Sequence, residues 1–466
     1  MTPLSTALFA LAIAVLPSAA AAQDWTTYGG DATHTNFNPR EHRLGPKQAR
    51  KLHLTWRAGL NGVINTQPTY ARSVRVGNRR RDLVYAATEH GDVYAIDARS
   101  GRIVWRRRLA SRYVKCFANT PDSRFGVSAA PVIDRTQGRM YVVAADNALH
   151  ALLLSSGKDA PGWPLPLGLS PTSYHVWGSP TLVGSRLYVP VASYCDTGSY
   201  RGGVMLVNVR KRRAIRRWYA VGAGLNGGAV WQWGGAPVDP ADGNVYVTTG
   251  NAIGGPEDAD YAEHVVRLTP DLTVLEAHDP PVGARVDSDF ASAPMLFKPS
   301  GCPRLLAAIH KSGKLFVYRR HAIDTGPVQR VDLGSPGFLE ASGTFAWSLA
   351  DQKLYVTANN PKFHGLLSFR ISRCRLAEAW RLGVHREMWW PSSPTVANGV
   401  VYFGTGRDRE VVAASAKTGR LLWRSGKLIG GSVYAAPTVV DGHLFAAAWS
   451  RRLYRFDSAK LGSRRR

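Results

Sequence analysis

The chain has 466 residues, 45% of them hydrophobic and 10% aromatic, with 46 Gly and 28 Pro. That composition supports a large, turn-rich globular core and excludes a disordered, collagenous or coiled-coil chain. Lys and Arg total 59 against 33 Asp and Glu, a formal charge of +26, so the surface should attract anions: acidic proteins, lipid headgroups, envelope polymers or nucleic acid.

The first 22 residues carry no charged side chain. An apolar stretch from Leu8 to Leu16, then Pro17 and the small run Ala19 to Ala22, reads as a secretory signal cut after Ala22. No cysteine stands at the cut, so a bacterial lipoprotein anchor is not expected, and no later stretch has the apolar length of a transmembrane segment. Residues 23–466 are expected to form one domain, periplasmic or secreted.

A repeat organises that domain. The first unit opens at Gln67-Pro68, continues through Leu83-Val84-Tyr85-Ala86-Ala87 and Gly91-Asp92-Val93-Tyr94-Ala95-Ile96-Asp97, and ends Ser100-Gly101-Arg102-Ile103-Val104-Trp105. Short runs rich in Val, Ile and Tyr, separated by Gly-bearing turns, are hairpin strands. Ala130-Pro131 opens the next unit, followed by Ser179-Pro180, Ala236-Pro237 and Ala293-Pro294. A weaker unit around Leu354-Tyr355-Val356 precedes those opened by Ser393-Pro394 and Ala436-Pro437. Eight units with a period of about 55 residues fit the blade scale of propellers. The fold class is therefore all-β: an eight-bladed β-propeller of four-stranded antiparallel blades. The last unit ends at Leu453-Tyr454-Arg455-Phe456-Asp457 without a closing Trp strand, and Lys51 to Trp56 supplies it, so the N-terminal strand should close the ring. Trp56, Trp105, Trp218, Trp380 and Trp423 occupy equivalent positions and are expected to be inter-blade packing residues.

The recurring Tyr-Val, Gly, Ala-hydrophobic-Asp, Ser/Thr-Gly and Trp pattern resembles the tryptophan-docking repeat of pyrroloquinoline quinone (PQQ) proteins, a family of quinoprotein alcohol dehydrogenases and non-catalytic propeller relatives. The resemblance covers essentially all of the chain after Ala22. Trp231-Gln232-Trp233-Gly234-Gly235-Ala236-Pro237-Val238-Asp239-Pro240, with Thr248-Thr249-Gly250-Asn251 downstream, is similar to the segment in which a Trp forms the cofactor floor and an Asn binds calcium. The resemblance implies Trp233 for the floor and Asn251 for the metal; a flat quinone stacks on indole, and Ca2+ takes hard oxygen ligands. Asp287-Ser288-Asp289-Phe290 resembles the segment of the catalytic base, implying Asp289, which is also a candidate metal ligand. His310-Lys311-Ser312-Gly313 resembles the segment that places a cation beside the quinone oxygens, implying Lys311 for cofactor binding and catalysis. Cys195-Asp196-Thr197-Gly198 resembles the acidic metal-ligand loop, with Asp196 where the family usually has Glu. The family's adjacent cysteine pair is missing, and Cys116 alone occupies that region.

The resemblance thus implies an alcohol-type substrate oxidised with PQQ and Ca2+, and an external electron acceptor, because no haem-attachment motif is encoded. The alternative is a non-catalytic propeller that serves as a protein- or polymer-binding scaffold in the cell envelope. Cys116 and Cys195 fall in long loops of neighbouring blades, as do Cys302 and Cys374, so the expected disulfides are 116–195 and 302–374. Basic runs at Arg79 to Arg81, Arg106 to Arg108 and Arg210 to Arg213 should form a positive rim suited to an acidic protein or envelope polymer. Nothing resembles a dedicated nucleic-acid module, since no aromatics interleave these runs.

Overall fold

Each repeat folds as the antiparallel sheet that its Val, Ile and Tyr runs favour. The computed structural model describes residues 23–115, 121–256, 258–282, 287–334, 345–386, 388 and 392–459. Blade 1 consists of Thr69–Val76, Arg79–Ala87, Asp92–Asp97 and Ile103–Arg108, paired in chain order from the centre outward. Blades 2 to 7 follow at 132–166, 181–219, 238–278, 295–332, 345–383 and 395–424. In blade 4 the innermost position is reduced to a bridge between Val238 and Val245. Blade 8 comprises Thr438–Val440, His443–Ala448 and Arg452–Ser458, and its outer strand is Leu52–Gly59 from the beginning of the chain. The ring therefore holds eight blades and is closed by the N-terminal strand, as the repeat arithmetic requires.

The closing tryptophans dock one blade onto the next. Trp56 Nε1 donates to the Ala98 carbonyl at 3.0 Å, Trp105 Nε1 to Leu154 at 2.9 Å and Trp380 Nε1 to Ala416 at 3.2 Å. Each indole covers a glycine in the receiving turn. A Cβ on Gly157 would stand 2.5 Å from Trp105, and that glycine has φ +67°, so bare backbone is required there twice over. The repeated tyrosines reach the same carbonyls: Tyr85 Oη donates to Leu154 and Tyr355 Oη to Ala416, both at 3.2 Å. Disulfide Cys302–Cys374 ties blade 5 to blade 6 as expected. Cys195 is also disulfide-bonded, and its expected partner Cys116 lies outside the described residues.

A segment with no repeat character lies inside the ring. Residues 25–38 run past the innermost strand of every blade. Trp25 exchanges two backbone hydrogen bonds with Tyr70 of blade 1, and the carbonyls of Thr26, Ala32, Thr33, Thr35 and Asn36 accept from Ile133, Val238, Leu296, Trp347 and Val396. Blade 3 is reached by His34 Nε2 on Thr181 Oγ1 (3.1 Å) and blade 8 by Asn38 Nδ2 on the Val439 carbonyl (2.8 Å). Inner strands otherwise present a free edge, and buried amides need partners. The segment then crosses one face between blades 7 and 8, where Glu41 accepts from the Gly442 amide, and enters the outer strand of blade 8. That face, carrying the turns between first and second and between third and fourth strands, is the far face. The loops before the inner strands and the turns between second and third strands form the opposite face.

Docking makes a direct prediction. Trp105→Ala should lower stability by about 3–5 kcal/mol, read as a lower urea midpoint with unchanged slope; a loss below about 0.5 kcal/mol would place the inter-blade energy elsewhere.

Candidate functional site

The mouth, the face opposite the far face and beyond the central plug formed by residues 25–38, gathers charge at blades 3 to 5. Before the inner strand of blade 5, residues 289–291 pair against 309–311: Lys311 N donates to the Asp289 carbonyl and Ala291 N to Ile309, both at 2.9 Å. Asp289 and Lys311 thereby stand directly across from each other, although 22 positions separate them. Lys311 Nζ lies 2.5 Å from Asp289 Oδ2 and 2.7 Å from Asp287 Oδ1, with all three side chains largely covered. Burial works against the Lys311 charge, but Asp289 and then Asp287 outweigh it and raise the lysine's pKa. Burial, reinforced by the Asp289 charge, pushes Asp287 up to about 6.

Blade 4 supplies the next contact. Asn251 N donates to Asp289 Oδ1 at 2.6 Å. The carboxylate comes so close because position 250 is glycine, where a Cβ would meet Asp289 Oδ1 at 2.7 Å. Asn251 Nδ2 donates to the Ala252 carbonyl, and its side-chain oxygen accepts no hydrogen bond among the described residues. From blade 3, two consecutive left-handed residues, Cys195 (φ 48°) and Asp196 (φ 55°), turn the loop sharply. Asp196 Oδ1 accepts a short hydrogen bond from Tyr200 Oη. The residue lies at the exposed rim, yet its carboxylate is crowded by protein. That burial raises its pKa, the Tyr200 bond works the other way, and the Asp289 charge adds to the rise. Asn251, Asp289 and Lys311 are thus brought together, and Asp196 lies near enough for the charges of Asp289 and Lys311 to act on its carboxyl.

Trp233 is half-buried and tied to blade 3 by its carbonyl, which accepts from Ser179 N at 3.0 Å. The indole that faces the lysine is that of Trp231, with Lys311 Nζ 5.5 Å from the ring centroid. Trp231 was not singled out by the repeat pattern, because only its spatial neighbour identifies it. Its Nε1 is buried and has no hydrogen-bond partner among the described residues, as is true of Ser288 Oγ, in sequence between the two aspartates, and of Gln232 Oε1. Such orphaned groups cost about 1–3 kcal/mol each unless a ligand or water meets them. A donor set of carboxylate and amide oxygens suits a hard cation. The unmet indole, hydroxyl and amide suit a polar, planar ligand. Both halves of a quinone–metal site fit these residues.

A second polar arc lies across blades 8, 1, 2 and 3, and sequence reasoning missed it. Glu89, with no solvent exposure, accepts from Asn65 Nδ2 (2.7 Å), Gly126 N (3.1 Å) and Ser128 Oγ (2.8 Å). Ser128 Oγ also lies 2.7 Å from His175 Nε2, and Trp449 Nε1 donates to Asn65. Burial pushes Glu89 up to about 7 against its three hydrogen bonds, and pushes His175 down to about 3. The only sequence signal is an acid in the turn Glu89-His90-Gly91-Asp92, which reads like any hairpin end.

A folded-state pKa raised above the unfolded value gives stability that is present at low pH and lost as pH rises through the folded pKa. Glu89 should therefore cost the fold up to about 3 kcal/mol between pH 4.5 and 8. His175, shifted down, acts oppositely and only below about pH 6.5. The Tm difference between Glu89→Gln and the parent chain should move in favour of the variant as pH rises from 5 to 7 and level off above that, measured by scanning calorimetry; a difference that does not change over that range would contradict the buried acid.

Comparison with known proteins gives the same outline. Residues 25–165 match the model of the glucose/ethanol/alcohol dehydrogenase beta-propeller domain, and residues 371–464 match that of outer membrane protein assembly factor BamB. A polyvinylalcohol dehydrogenase of Pseudomonas sp is 24% identical over 253 residues, which are 49% of this chain and only 36% of that protein's length. Among solved structures, quinohemoprotein alcohol dehydrogenase from Comamonas testosteroni superposes with TM-score 0.76 at 17% identity, covering 95% of this chain and 81% of that one. A europium-containing methanol dehydrogenase gives 0.74 at 14% identity over 93% and 98% of the two chains. BamB from Moraxella catarrhalis gives 0.56 at 12% identity over 89% and 99%. At these identities the structural likeness speaks for the fold.

Proposed function

The chain is a PQQ-repeat β-propeller, and from that premise we propose that it is an exported quinoprotein dehydrogenase of an alcohol-type substrate, dependent on PQQ and a metal ion such as Ca2+. The observation that carries the reading is the convergence of Asp196, Asn251, Asp289 and Lys311 from three blades at one mouth, beside unpartnered buried polar atoms.

When bound, the quinone supplies the hydride-accepting carbonyl and the metal supplies Lewis acidity. The remaining work falls to the chain. Asp196, Asn251 and Asp289 hold the cation through oxygen, and the indoles of Trp231 and Trp233 offer the flat walls. Asp289 takes the hydroxyl proton of the alcohol at Oδ2, while the Asn251 amide keeps Oδ1 in place. Proton uptake there weakens the hold of Asp289 on Lys311, and Asp287, already 2.7 Å from Nζ, retains the ammonium. Lys311 stays charged beside the site and favours negative charge developing on a ligand oxygen. The substrate and the electron acceptor both reach the site from the face opposite the plug.

Titrating PQQ and Ca2+ into the metal-stripped chain, followed by Trp fluorescence and quinone absorbance, tests the reading. Saturable binding that needs both, and is lost in Trp233→Ala, is expected. Lys311→Ala should retain binding and lower dye-linked alcohol oxidation by about a hundredfold or more. Absence of binding at micromolar cofactor would overturn the dehydrogenase reading. It would favour the envelope scaffold, for which the match of residues 371–464 speaks.

A further inference from the structure

The basic runs divide by face. On the side of the mouth the run from Arg106 to Arg108 is spoken for: Arg106 and Arg108 both bind buried Asp92, at 2.9 and 2.6 Å, and Arg107 crosses to Asp159 of blade 2 at 2.7 Å. That run staples strands together and is no free rim. On the far face of blades 1 to 3 Arg81, Arg135 and Arg186 are paired with acids, but a set of cations is left unspent. Arg79, Arg99, Arg102, Arg210, Lys211 and Arg213 are all exposed, and none is in an ion pair among the described residues. The acids between them are engaged, Asp97 by Arg81 at 2.8 Å and Asp134 by the Thr136 and Gln137 amides.

The same face carries most of the uncovered apolar bulk. Of seven exposed large hydrophobic residues among the described residues, five lie at far-face turns or strand starts: Ile103 (47%), Ile215 (45%), Leu275 (47%), Leu349 (57%) and Leu421 (40%). They come from blades 1, 3, 4, 6 and 7, so they are spread around a ring rather than gathered in a groove. Ile103 follows Arg102, Leu421 follows Arg420, and Ile215 lies between Arg213 and Arg216. A ring of apolar tips among unpaired cations matches a flat surface whose phosphates attract the arginines and whose acyl boundary takes the tips. A soluble polyanion would use the charges and leave the tips in water.

We propose that the far face is a docking surface for a membrane bearing anionic lipid headgroups, with blades 1 to 3 supplying the charge. No helix among the described residues is long and apolar enough to cross a membrane, so attachment through this face is peripheral. The polypeptide also enters the ring here: Gln23 accepts from the Asp441 amide and Asp24 from Arg72 N, both at far-face positions. Docking in this orientation leaves the mouth with Lys311 and Asp289 pointing away from the lipid, open to substrate and acceptor.

The test is co-sedimentation of the chain from Gln23 onward, which omits the apolar leader, with vesicles of phosphatidylglycerol and phosphatidylcholine. Pure phosphatidylcholine is the reference. Binding to the anionic vesicles alone is expected, with Arg210→Glu/Arg213→Glu lowering the partition coefficient by about tenfold or more. Ile103→Ser/Ile215→Ser should lower the binding that persists at high salt. Arg409→Glu/Lys427→Glu, an equal charge change on the face of the mouth, should cost less than about threefold. Calorimetry on each variant separates lost binding from lost folding. Failure to bind anionic vesicles would overturn the proposal. So would equal losses in the two charge-reversed pairs, or binding to heparin with vesicle binding indifferent to the isoleucines.

Discussion

The structure depends on one constraint: the inner edges of eight blades, seven strands and the bridge at Val238, point backbone donors and acceptors toward the centre of the ring, where buried groups need partners. Residues 25–38 meet that demand, touching all eight blades through main-chain or side-chain hydrogen bonds. The segment is itself held in shape by Asp31, whose carboxylate accepts from the amides and hydroxyls of Thr33 and Thr35. Satisfying the inner edges fills the centre of the ring and gives the molecule two unlike faces. Because the same polypeptide continues into the outer strand of blade 8, the central segment and the ring closure are one device.

The candidate site lies on the face opposite the one that the chain crosses between blades 7 and 8. Loops of neighbouring blades meet there at short range, so groups from blades 3, 4 and 5 converge without any long excursion of the chain. Three carboxylates in a largely covered place repel one another and resist desolvation. Lys311 compensates for two of them and explains why the cluster persists in the fold. A cation held by Asp196, Asn251 and Asp289, as proposed, would act on the same imbalance and share the carboxylates with the lysine. Across the mouth, Glu89 has no such counter-ion and relies on three hydrogen-bond donors instead.

The repeat made the blades, their number, the strand that closes the ring and the docking tryptophans legible, because each rests on periodic residue types. Disulfide 302–374 followed from the same register. The site was legible in part. Resemblance pointed to Asp196, Asn251, Asp289 and Lys311, and the structure brings them together, but the facing of Trp231 onto Lys311 and the need for Gly250 arise from contacts between strands that no local pattern records. The plug was not legible at all, since its bonds are made mostly by backbone groups that every residue carries. Nor was the division of the basic runs. Arg106 to Arg108 look like a rim in the sequence, and only the packing of Asp92 against Arg106 and Arg108 and of Asp159 against Arg107 reveals that all three are engaged in ion pairs.

The most direct measurement of the central claim, that this mouth is a site for a hard cation among carboxylates beside an indole, is terbium luminescence excited through tryptophan. Sensitised Tb3+ emission is expected that saturates, is displaced by Ca2+, and is abolished by Asn251→Ala or by Asp289→Asn while calorimetry reports an intact fold. Emission that is absent, or that survives both substitutions unchanged, would contradict it.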